Sequence, residues 1–308
     1  MVKKYLIRTV LFLLPIVIIL GALELWVRNI PSSPDTISNY LHTESENLEV
    51  LVLGASQNQA AIHPAFMSRP TINMASGHQD YSEDYALLSQ LKERLPKLNT
   101  VILPMTFAHL DTPPNKQEFW KHATFLYYYN VNAYGRKVYA KDRLLYLSNP
   151  SFYSKEILGS LTPMNVQDFG TYGYLENANH SPFAKADFNP QRIDEFPLSI
   201  YNRENELAVE QNTIAFKKIL EFCKEQKLKT VIVLTPVTEK HYEGRNPNMV
   251  TRRDAFLKEI LELYPEVLLK DAEQTDYPLT DFNNHNHLSP LGAKKFTKEL
   301  DLLLQSPN

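Results

Sequence analysis

The stretch Leu51-Val52-Leu53-Gly54-Ala55-Ser56-Gln57-Asn58 decides the fold. It begins with continuous apolar residues, which are typical of a strand that is covered on both faces of a parallel sheet. The apolar run stops at a turn of small residues that carries Ser56. Because open α/β folds place their ligands at the carboxyl ends of their strands, we predict a functional serine at this edge of the sheet.

Similar apolar runs recur along the chain, and segments with helical periodicity separate them. We predict further strands over residues 70–74, 100–105, 229–236 and 267–271. Apolar residues recur at helical spacing over residues 83–95, 206–227, 251–264 and 290–304. This alternation predicts an α/β fold with three layers, α/β/α, around a mainly parallel, flavodoxin-like sheet.

The amino terminus is long and apolar enough to cross a membrane. Lys3, Lys4 and Arg8 precede an uncharged run over residues 9–23. The whole apolar stretch, residues 5–27, is close to the ~20 residues that a spanning helix needs. Since the basic residues come first, the positive-inside rule keeps the amino terminus in the cytoplasm and sends the rest of the chain across the membrane.

A cleaved signal peptide is the alternative interpretation of this segment. Its nearest small-residue cleavage site, Gly21-Ala22, is followed closely by Leu25-Trp26-Val27, which disfavours cleavage. We therefore predict an uncleaved single-pass anchor over residues 1–30, a linker over residues 31–47 and one extracytoplasmic globular domain over residues 48–305.

An insertion interrupts the strand and helix alternation between about residues 108 and 205. Tyrosine is frequent there, as in Tyr127-Tyr128-Tyr129, and periodicity is weak except for a helical stretch at residues 137–147. Two interpretations stay open. The tyrosine rings either stack on the faces of a sugar substrate or pack the insertion against the main domain through their apolar bodies.

Composition excludes several classes of function. The net charge is −3 and no basic block is present, which argues against nucleic-acid binding. Cys223 is the single cysteine, so the chain has no internal disulfide and no cysteine-based metal site. His285 and His287 lack carboxylate or thiol partners at metal-ligand spacing. We therefore expect neither a metal nor a cofactor.

A second motif, Asn284-His285-Asn286-His287-Leu288-Ser289, lies near the carboxyl terminus. A serine hydroxyl is a poor nucleophile until a base removes its proton, and histidine is a suitable base near neutral pH. We predict that Ser56 and His287 meet at the edge of the sheet. The combination of the two motifs is more specific than either motif alone.

Candidate donors for an oxyanion follow the predicted second and third strands. Gly77 offers a backbone N–H that no side chain obstructs. Asn73, Gln79 and Thr106 offer side-chain donors close to it in the sequence.

Three blocks carry a resemblance to a known family. Residues 52–57, 73–79 and 282–293 read Val-Leu-Gly-Ala-Ser-Gln, Asn-Met-Ala-Ser-Gly-His-Gln and Phe-Asn-Asn-His-Asn-His-Leu-Ser-Pro-Leu-Gly-Ala. They resemble the SGNH/GDSL hydrolase superfamily. More narrowly, the chain resembles its membrane-anchored bacterial branch, which includes cell-envelope polysaccharide O-acetyl esterases and transferases and the teichoic acid D-alanyl transfer protein. The resemblance implies that Ser56 is the nucleophile, His287 the base and Gly77 an oxyanion donor.

Two positions depart from the pattern of that superfamily. Residues 103–107, Leu-Pro-Met-Thr-Phe, lack the asparagine of its third block. Asn284 stands where the superfamily has an aspartate behind the histidine. Three supports for His287 stay open: Asn284 itself, the nearby Asp281, or a backbone carbonyl.

The resemblance implies an exported, membrane-tethered serine esterase or O-acyltransferase that acts on acyl groups, mainly acetyl, of a cell-envelope or exopolysaccharide glycan. The alternative is a catalytically inactive glycan-binding or assembly factor that kept the fold. The expected partners are the acylated glycan or an acyl donor, the membrane, and other proteins of envelope polysaccharide biosynthesis.

Overall fold

The computed structural model describes residues 2–161, 168–176 and 181–306. The strands are β1 (Val50–Val52), β2 (Thr71–Asn73), β3 (Thr100–Pro104), β4 (Lys229–Leu234), β5 (Leu268–Asp271), β6 (Phe282–Asn284) and β7 (His287–Leu288). The helices are α1 (Val2–Arg28), α2 (Ser33–Glu44), α3 (Ser56–Ala61), α4 (Tyr81–Leu91), α5 (Lys121–Thr124), α6 (Leu145–Ser148), α7 (Pro150–Ser160), α8 (Pro182–Lys185), α9 (Pro190–Asp194), α10 (Glu206–Glu225), α11 (Glu239–Glu243), α12 (Pro247–Leu263) and α13 (Pro290–Gln305).

The described residues form two compact units. One contains residues 2–34 and 117–161, and the other contains residues 35–116, 168–176 and 181–306. The segment 31–47, which the sequence indicated as a linker, is mostly the helix α2. Its buried Ile37 and Leu41 make most of this segment part of the second unit.

The second unit is built on a five-stranded sheet with the order β2-β1-β3-β4-β5. All neighbouring strands are parallel, which confirms the predicted flavodoxin-like α/β fold. The chain leaves β1 to one side to form β2 and returns on the other side of β1 to form β3. Such a reversal opens a crevice at the carboxyl ends of the strands, where ligands bind in this class of fold. Ser56 follows β1 directly and therefore lies at this crevice.

Both faces of the sheet are covered. On one face, Val52 and Ile102 belong to a buried cluster with Phe296 of α13. On the other face, the ring of Tyr81 in α4 lies 4.9 Å from that of Phe216 in α10. All three residues of β1 and all five of β3 are buried, as their continuous apolar sequences predict.

The insertion is partly helical around residues 137–147, as the sequence predicts. The extended Leu144 separates the 3₁₀ turn Ala140–Arg143 from α6. Several of its tyrosines, Tyr129, Tyr134 and Tyr153, are at most 8% exposed and so pack inside the protein. All three rings belong to the first unit, where Tyr153 packs with Val27 and Leu145.

Helix α1 spans 27 residues, and its apolar part is almost wholly exposed in the isolated chain. Among the described residues, α1 is the helix that is long and apolar enough to cross a membrane, as the sequence predicted. The sequence also predicted the last helix accurately. Ser289 caps α13 by accepting a hydrogen bond from the backbone of Gly292.

Candidate active site

Ser56 and His287 lie in direct contact although 231 positions separate them in the chain. The Ser56 hydroxyl Oγ is 2.8 Å from His287 Nε2. This is a normal hydrogen-bond distance between a nucleophile and its base. Ser56 opens α3, and its half-buried side chain stands at the crevice beside the end of β1.

Asn284 is the partner of the other ring nitrogen of His287. Its side-chain oxygen Oδ1 lies 3.0 Å from His287 Nδ1. The same oxygen accepts hydrogen bonds from the backbone N–H groups of Asn286 and His287, at 3.1 and 3.0 Å. Because two backbone N–H donors converge on this atom, it must be the amide oxygen rather than the amide nitrogen.

The orientation of Asn284 selects the tautomer of His287. An amide oxygen accepts hydrogen bonds, so Nδ1 carries the proton and donates it. Nε2 is then unprotonated and can accept the proton of the Ser56 hydroxyl. An asparagine at this position therefore holds the productive tautomer. It does not supply the negative charge that would stabilise an imidazolium.

A short hairpin sets this geometry. Strands β6 and β7 pair antiparallel, and Asn284 stands directly across from His287. His285 and Asn286 form the turn between the strands. Opposed side chains on one face of such a pair are neighbours. The acceptor and the imidazole are thus placed by local backbone geometry.

The turn of the hairpin is tied to the segment that follows β4. His285 Nδ1 lies 2.8 Å from the hydroxyl Oγ1 of Thr238. The backbone N–H of Thr238 donates to the carbonyl of His285 at 3.0 Å. His285 is 5% exposed, and burial lowers its pKa, so it is a neutral structural residue.

Asp281 does not support His287 within the described residues. Its carboxylate lies 4.0 Å from the Nζ of Lys295, and its carbonyl accepts a hydrogen bond from the backbone N–H of Ser289 at 2.8 Å. Burial raises the pKa of this carboxyl, and Lys295 partly opposes that effect. The structure therefore places Asn284, not Asp281, behind the histidine.

Helix α13 carries the hairpin to Ser56. A Cβ on Gly292 would lie 2.1 Å from the carbonyl oxygen of Asp281, so only glycine permits this close approach. Farther along α13, Thr297 accepts a hydrogen bond from the backbone of His63 at 3.0 Å and donates to the carbonyl of Ala61 at 3.2 Å. These bonds fasten α13 to the carboxyl end of α3, the helix that Ser56 begins.

The turn before Ser56 has its own constraint. Gly54 has a φ of +112°, and a Cβ there would lie 2.3 Å from the ring of Pro104 at the end of β3. Glycine alone tolerates that backbone conformation. Pro104 stands in the third-block region where the superfamily has its asparagine loop. Its ring packs against the nucleophile turn.

A buried carboxyl lies under the same turn. Asp84 Oδ1 accepts a hydrogen bond from the backbone N–H of Gly54 at 2.8 Å and from the Nε2 of Gln79 at 2.6 Å. The side chain is 1% exposed, and burial raises its pKa to about 8. No partner for Oδ2 lies among the described residues. Asp84 thus holds the nucleophile turn in a largely protonated form near neutral pH.

One feature of the sequence marks Asp84, because this carboxyl lies among apolar residues at helical spacing. Tyr81, Asp84, Leu88 and Leu91 follow helical spacing along the buried face of α4. A carboxyl on an apolar stripe is unusual, because burying an ionised group is costly unless it is partnered or neutralised. Such a position indicates a structural or functional role.

The predicted oxyanion donors lie in different surroundings. Asn73 donates both of its amide hydrogens, to the carbonyls of Asn58 and Ile62 at 3.1 and 2.7 Å, so it supports α3 and has no hydrogen for an oxyanion. Gln79 is 3% exposed and is bonded to Asp84. These two side chains hold the segments around the nucleophile turn in place.

Thr106 and Gly77 lie in the loops that follow β3 and β2. The backbone N–H of Thr106 donates to His109 Nδ1 at 3.0 Å. Gly77 is half-buried in the loop that follows β2. The backbone N–H of Ser56 itself belongs to the first turn of α3, where N–H groups have no partner within the helix.

Electrostatics at His287 follow from its surroundings. Burial lowers the pKa of His287 to about 4. The nearby His241 is also buried, and its pKa is lowered to about 3 by burial, with Arg245 and the other two histidines adding to the effect. The imidazole of His287 is therefore neutral, and able to accept a proton, across the physiological pH range.

The described residues include no group of three or more histidine, cysteine or acidic side chains placed to hold a metal ion. Cys223 is buried in α10.

Comparisons with known proteins give distant similarities only. No family model matches the sequence, and no curated protein matches it. The fold is similar to a solved candidate acylhydrolase from Bacteroides fragilis, with 9% identity, a TM-score of 0.40 and coverage of 86% of this chain and 93% of that one. It is also similar to a solved GDSL-like lipase from Bacteroides thetaiotaomicron, with 9% identity, a TM-score of 0.39 and coverage of 87% and 99%. Matches this distant do not identify a substrate.

Proposed function

We propose that this chain is an exported, membrane-tethered serine esterase or O-acyltransferase. Its substrate is an acyl ester, mainly acetyl, of a cell-envelope or exopolysaccharide glycan. The observation that supports this most directly is the 2.8 Å contact between Ser56 Oγ and His287 Nε2, with the histidine held in its basic tautomer by Asn284. The resemblance of the three sequence blocks supports the substrate class.

The reaction begins when His287 Nε2 takes the proton of Ser56 as Oγ attacks the acyl carbonyl carbon. The oxyanion of the tetrahedral intermediate accepts hydrogen bonds from the backbone N–H groups of Ser56 and Gly77, with the hydroxyl of Thr106 as a further donor. The bond between the acyl carbon and the sugar oxygen then breaks, and His287 returns its proton to that oxygen. Water or a second sugar hydroxyl attacks the acyl-serine in the same way and frees Ser56.

The chemistry of His287 predicts slow turnover. A base with a pKa of about 4 is unprotonated at neutral pH, but it is a weaker base than one whose pKa matches the operating pH. Asn284 contributes no charge to stabilise the imidazolium that forms in each step. We therefore expect the acyl-enzyme to form and decay slowly.

The position outside the membrane follows from α1. Its basic residues precede the apolar run, so the positive-inside rule directs the rest of the chain out of the cytoplasm. The helix continues without a break to Arg28. The large apolar residues Leu25-Trp26-Val27 that closely follow the candidate cleavage site at residues 21–22 support an uncleaved anchor over a removed signal peptide.

An activity-based label tests the proposal. A fluorophosphonate should modify the full-length protein in detergent at Ser56, and Ser56→Ala should abolish both the label and the hydrolysis of an acetyl ester. Ser82→Ala is a matched control, since Ser82 is an exposed serine at the start of α4. It should retain both activities.

The alternative function makes the opposite prediction. Asn284 favours an inactive factor that binds the glycan without turning it over, because it removes the usual acid. In that case neither wild type nor Ser56→Ala would react with the label, while both would bind acetylated polysaccharide equally. Unchanged ester hydrolysis in Ser56→Ala would exclude Ser56 as the nucleophile.

A further inference from the structure

The last turns of α1 are hydrogen-bonded to the insertion. The carboxylate of Glu24 accepts from the backbone N–H groups of Leu145 and Tyr146, at 3.0 and 2.8 Å, and from Arg28 at 2.7 Å. Arg28 in turn donates to the carbonyl of Arg143 at 3.0 Å. Glu24 is only 8% exposed, although it follows directly on the apolar run. An acidic side chain at the end of a spanning helix thus binds the start of α6.

Apolar packing joins the same elements. Val27 is 3% exposed and belongs to one buried cluster with Leu145, Tyr153 and Ile157 of the insertion. Leu23 of α1 and Ile30, two residues after the end of α1, also pack against that cluster. We call residues 117–161, which share this unit with α1, the collar.

The length of α1 fixes where the collar lies. At 1.5 Å per residue, the stretch from Tyr5 to Glu24 spans about 30 Å, which is the thickness of the hydrocarbon core. Glu24 therefore lies near the outer boundary of the bilayer when α1 spans it. Because the backbone of Leu145 is bonded to Glu24, α6 lies at the same level.

The collar also exposes large apolar side chains. Leu158 and Leu161, at and just after the end of α7, are 65% and 60% exposed. Leu147 and Phe152 are 47% and 38% exposed. Water would solvate these side chains poorly, whereas the boundary between headgroups and acyl chains accommodates them.

Charge in the collar complements a lipid surface. The collar contains six basic residues, Lys121, Arg136, Lys137, Arg143, Lys141 and Lys155, and three acidic ones, Glu118, Asp142 and Glu156. Its net charge is thus +3 although the whole chain carries −3. Aromatic and basic residues are the groups that anchor proteins at the membrane interface.

We propose that the collar lies on the outer leaflet of the membrane, with Leu158 and Leu161 at the boundary of the acyl chains. Its exposed basic residues, Lys137, Lys141, Arg143 and Lys155, face anionic headgroups. This surface is independent of the Ser56 chemistry and rests only on the membrane-anchor part of the proposed function. It also gives the aromatic residues of the insertion a second role besides packing. The alternative occupant of the leucine surface is another membrane protein.

Fluorescence quenching in bilayers tests the collar. Leu158→Cys and Leu161→Cys would be labelled with an environment-sensitive fluorophore in the full chain, reconstituted in vesicles of phosphatidylethanolamine and phosphatidylglycerol. Lipids with a nitroxide near the headgroup serve as the quencher. Leu302→Cys is the matched control, because Leu302 is also 65% exposed but lies in the other unit. The wild type, with only the buried Cys223, gives the labelling background.

We expect labels at 158 and 161 to be quenched several-fold more than the label at 302, with emission shifted to shorter wavelength. A label at Val17→Cys, quenched by a nitroxide deep in the acyl chain, verifies the anchor separately. If the label at position 17 is quenched but the labels at positions 158, 161 and 302 are quenched equally, the collar does not lie on the membrane, although α1 still spans it. Failure at 17 would instead reject the anchor. Repeating the measurement with Ser56→Ala should change nothing.

Discussion

The side-chain oxygen of Asn284 lies 3.0 Å from Nδ1 of His287 and accepts two backbone N–H groups as well. It occupies the place of the acid in a serine hydrolase and performs one of that acid's two tasks. It fixes the tautomer and orientation of the imidazole. It cannot offset the positive charge that develops on the ring. Replacing Asn284 with aspartate separates these two tasks.

Asn284→Asp should accelerate ester hydrolysis at neutral pH by a factor on the order of 10², because a carboxylate stabilises the imidazolium as well as the tautomer. It should also raise the pKa of His287 from about 4 toward its ordinary value. The pH profile of kcat/KM, which reports the free enzyme, measures both effects.

In the wild type the acid limb of that profile should lie near pH 4, since protonation of His287 removes the base. In Asn284→Asp the limb should move to higher pH. A variant that is faster but shows no shift of the limb would mean that residue 284 acts on something other than the imidazole. Asn286→Asp in the same turn is the control, because only the backbone of Asn286 is bonded to Asn284.

Asp84 should make the stability depend on pH. Its folded-state pKa of about 8 lies above the unfolded value of 3.8, so the folded state holds the proton more tightly. The resulting stabilisation is fully present below about pH 4 and is lost as the pH rises to about 8. Asp84→Asn mimics the protonated form and should not show this loss.

Urea unfolding of both proteins between pH 4 and 9 measures the effect. The difference in unfolding free energy between wild type and Asp84→Asn should change in favour of the variant as the pH rises, by a few kcal/mol in all. Using the difference cancels the buried histidines, whose lowered pKa values act in the opposite direction. A difference that is flat across this range would show that Asp84 is ionised in the folded protein. Asp84→Ala should be destabilised at every pH, because the N–H of Gly54 loses its acceptor.

Gly292→Ala should disrupt the site. The new methyl group would meet the carbonyl oxygen of Asp281 at 2.1 Å, and backbone must shift to relieve that contact. We expect a loss of about 3 kcal/mol or more in unfolding free energy and a marked loss of the fluorophosphonate label. Gly159→Ala in α7 is the control, since nothing lies within 4 Å of a Cβ there. It should be neutral or slightly stabilising. Equal behaviour of the two variants would contradict the close approach.

Thr297→Val should loosen the attachment of α13 to α3. Valine has nearly the same shape but leaves the backbone N–H of His63 without an acceptor, which costs about 1–3 kcal/mol at a buried position. Because this attachment positions His287 against Ser56, kcat should fall more than KM rises. Thr43→Val, at an exposed threonine of α2, should change neither. Thermal unfolding and initial rates on one acetyl ester measure both quantities.

Much of the fold could be predicted from local patterns. The apolar runs that became β1, β3 and β4 are continuous, since both faces of the sheet are covered. Ser289 and Pro290 marked the start of α13, because a capping side chain and a first-turn proline act within a few residues. The insertion was predicted to be partly helical around residues 137–147, and the 3₁₀ turn Ala140–Arg143 and the start of α6 lie there. The sequence did not predict that the extended Leu144 separates them.

Local sequence patterns were enough to predict that Ser56 lies in the turn after a strand and that His287 precedes a helix, and from these features that the two side chains meet. Each of those features depends on residues within one or two turns. The sequence left the support of His287 open, since Asn284 and Asp281 are three residues apart and either could have faced the ring. Only the tertiary structure decided this, through the cross-strand pairing of Asn284 with His287 and the contact of Gly292 with Asp281. The protonation state of the buried Asp84 also depends on the tertiary structure. Burial and hydrogen bonds from distant backbone, rather than local sequence, set the pKa of a carboxyl.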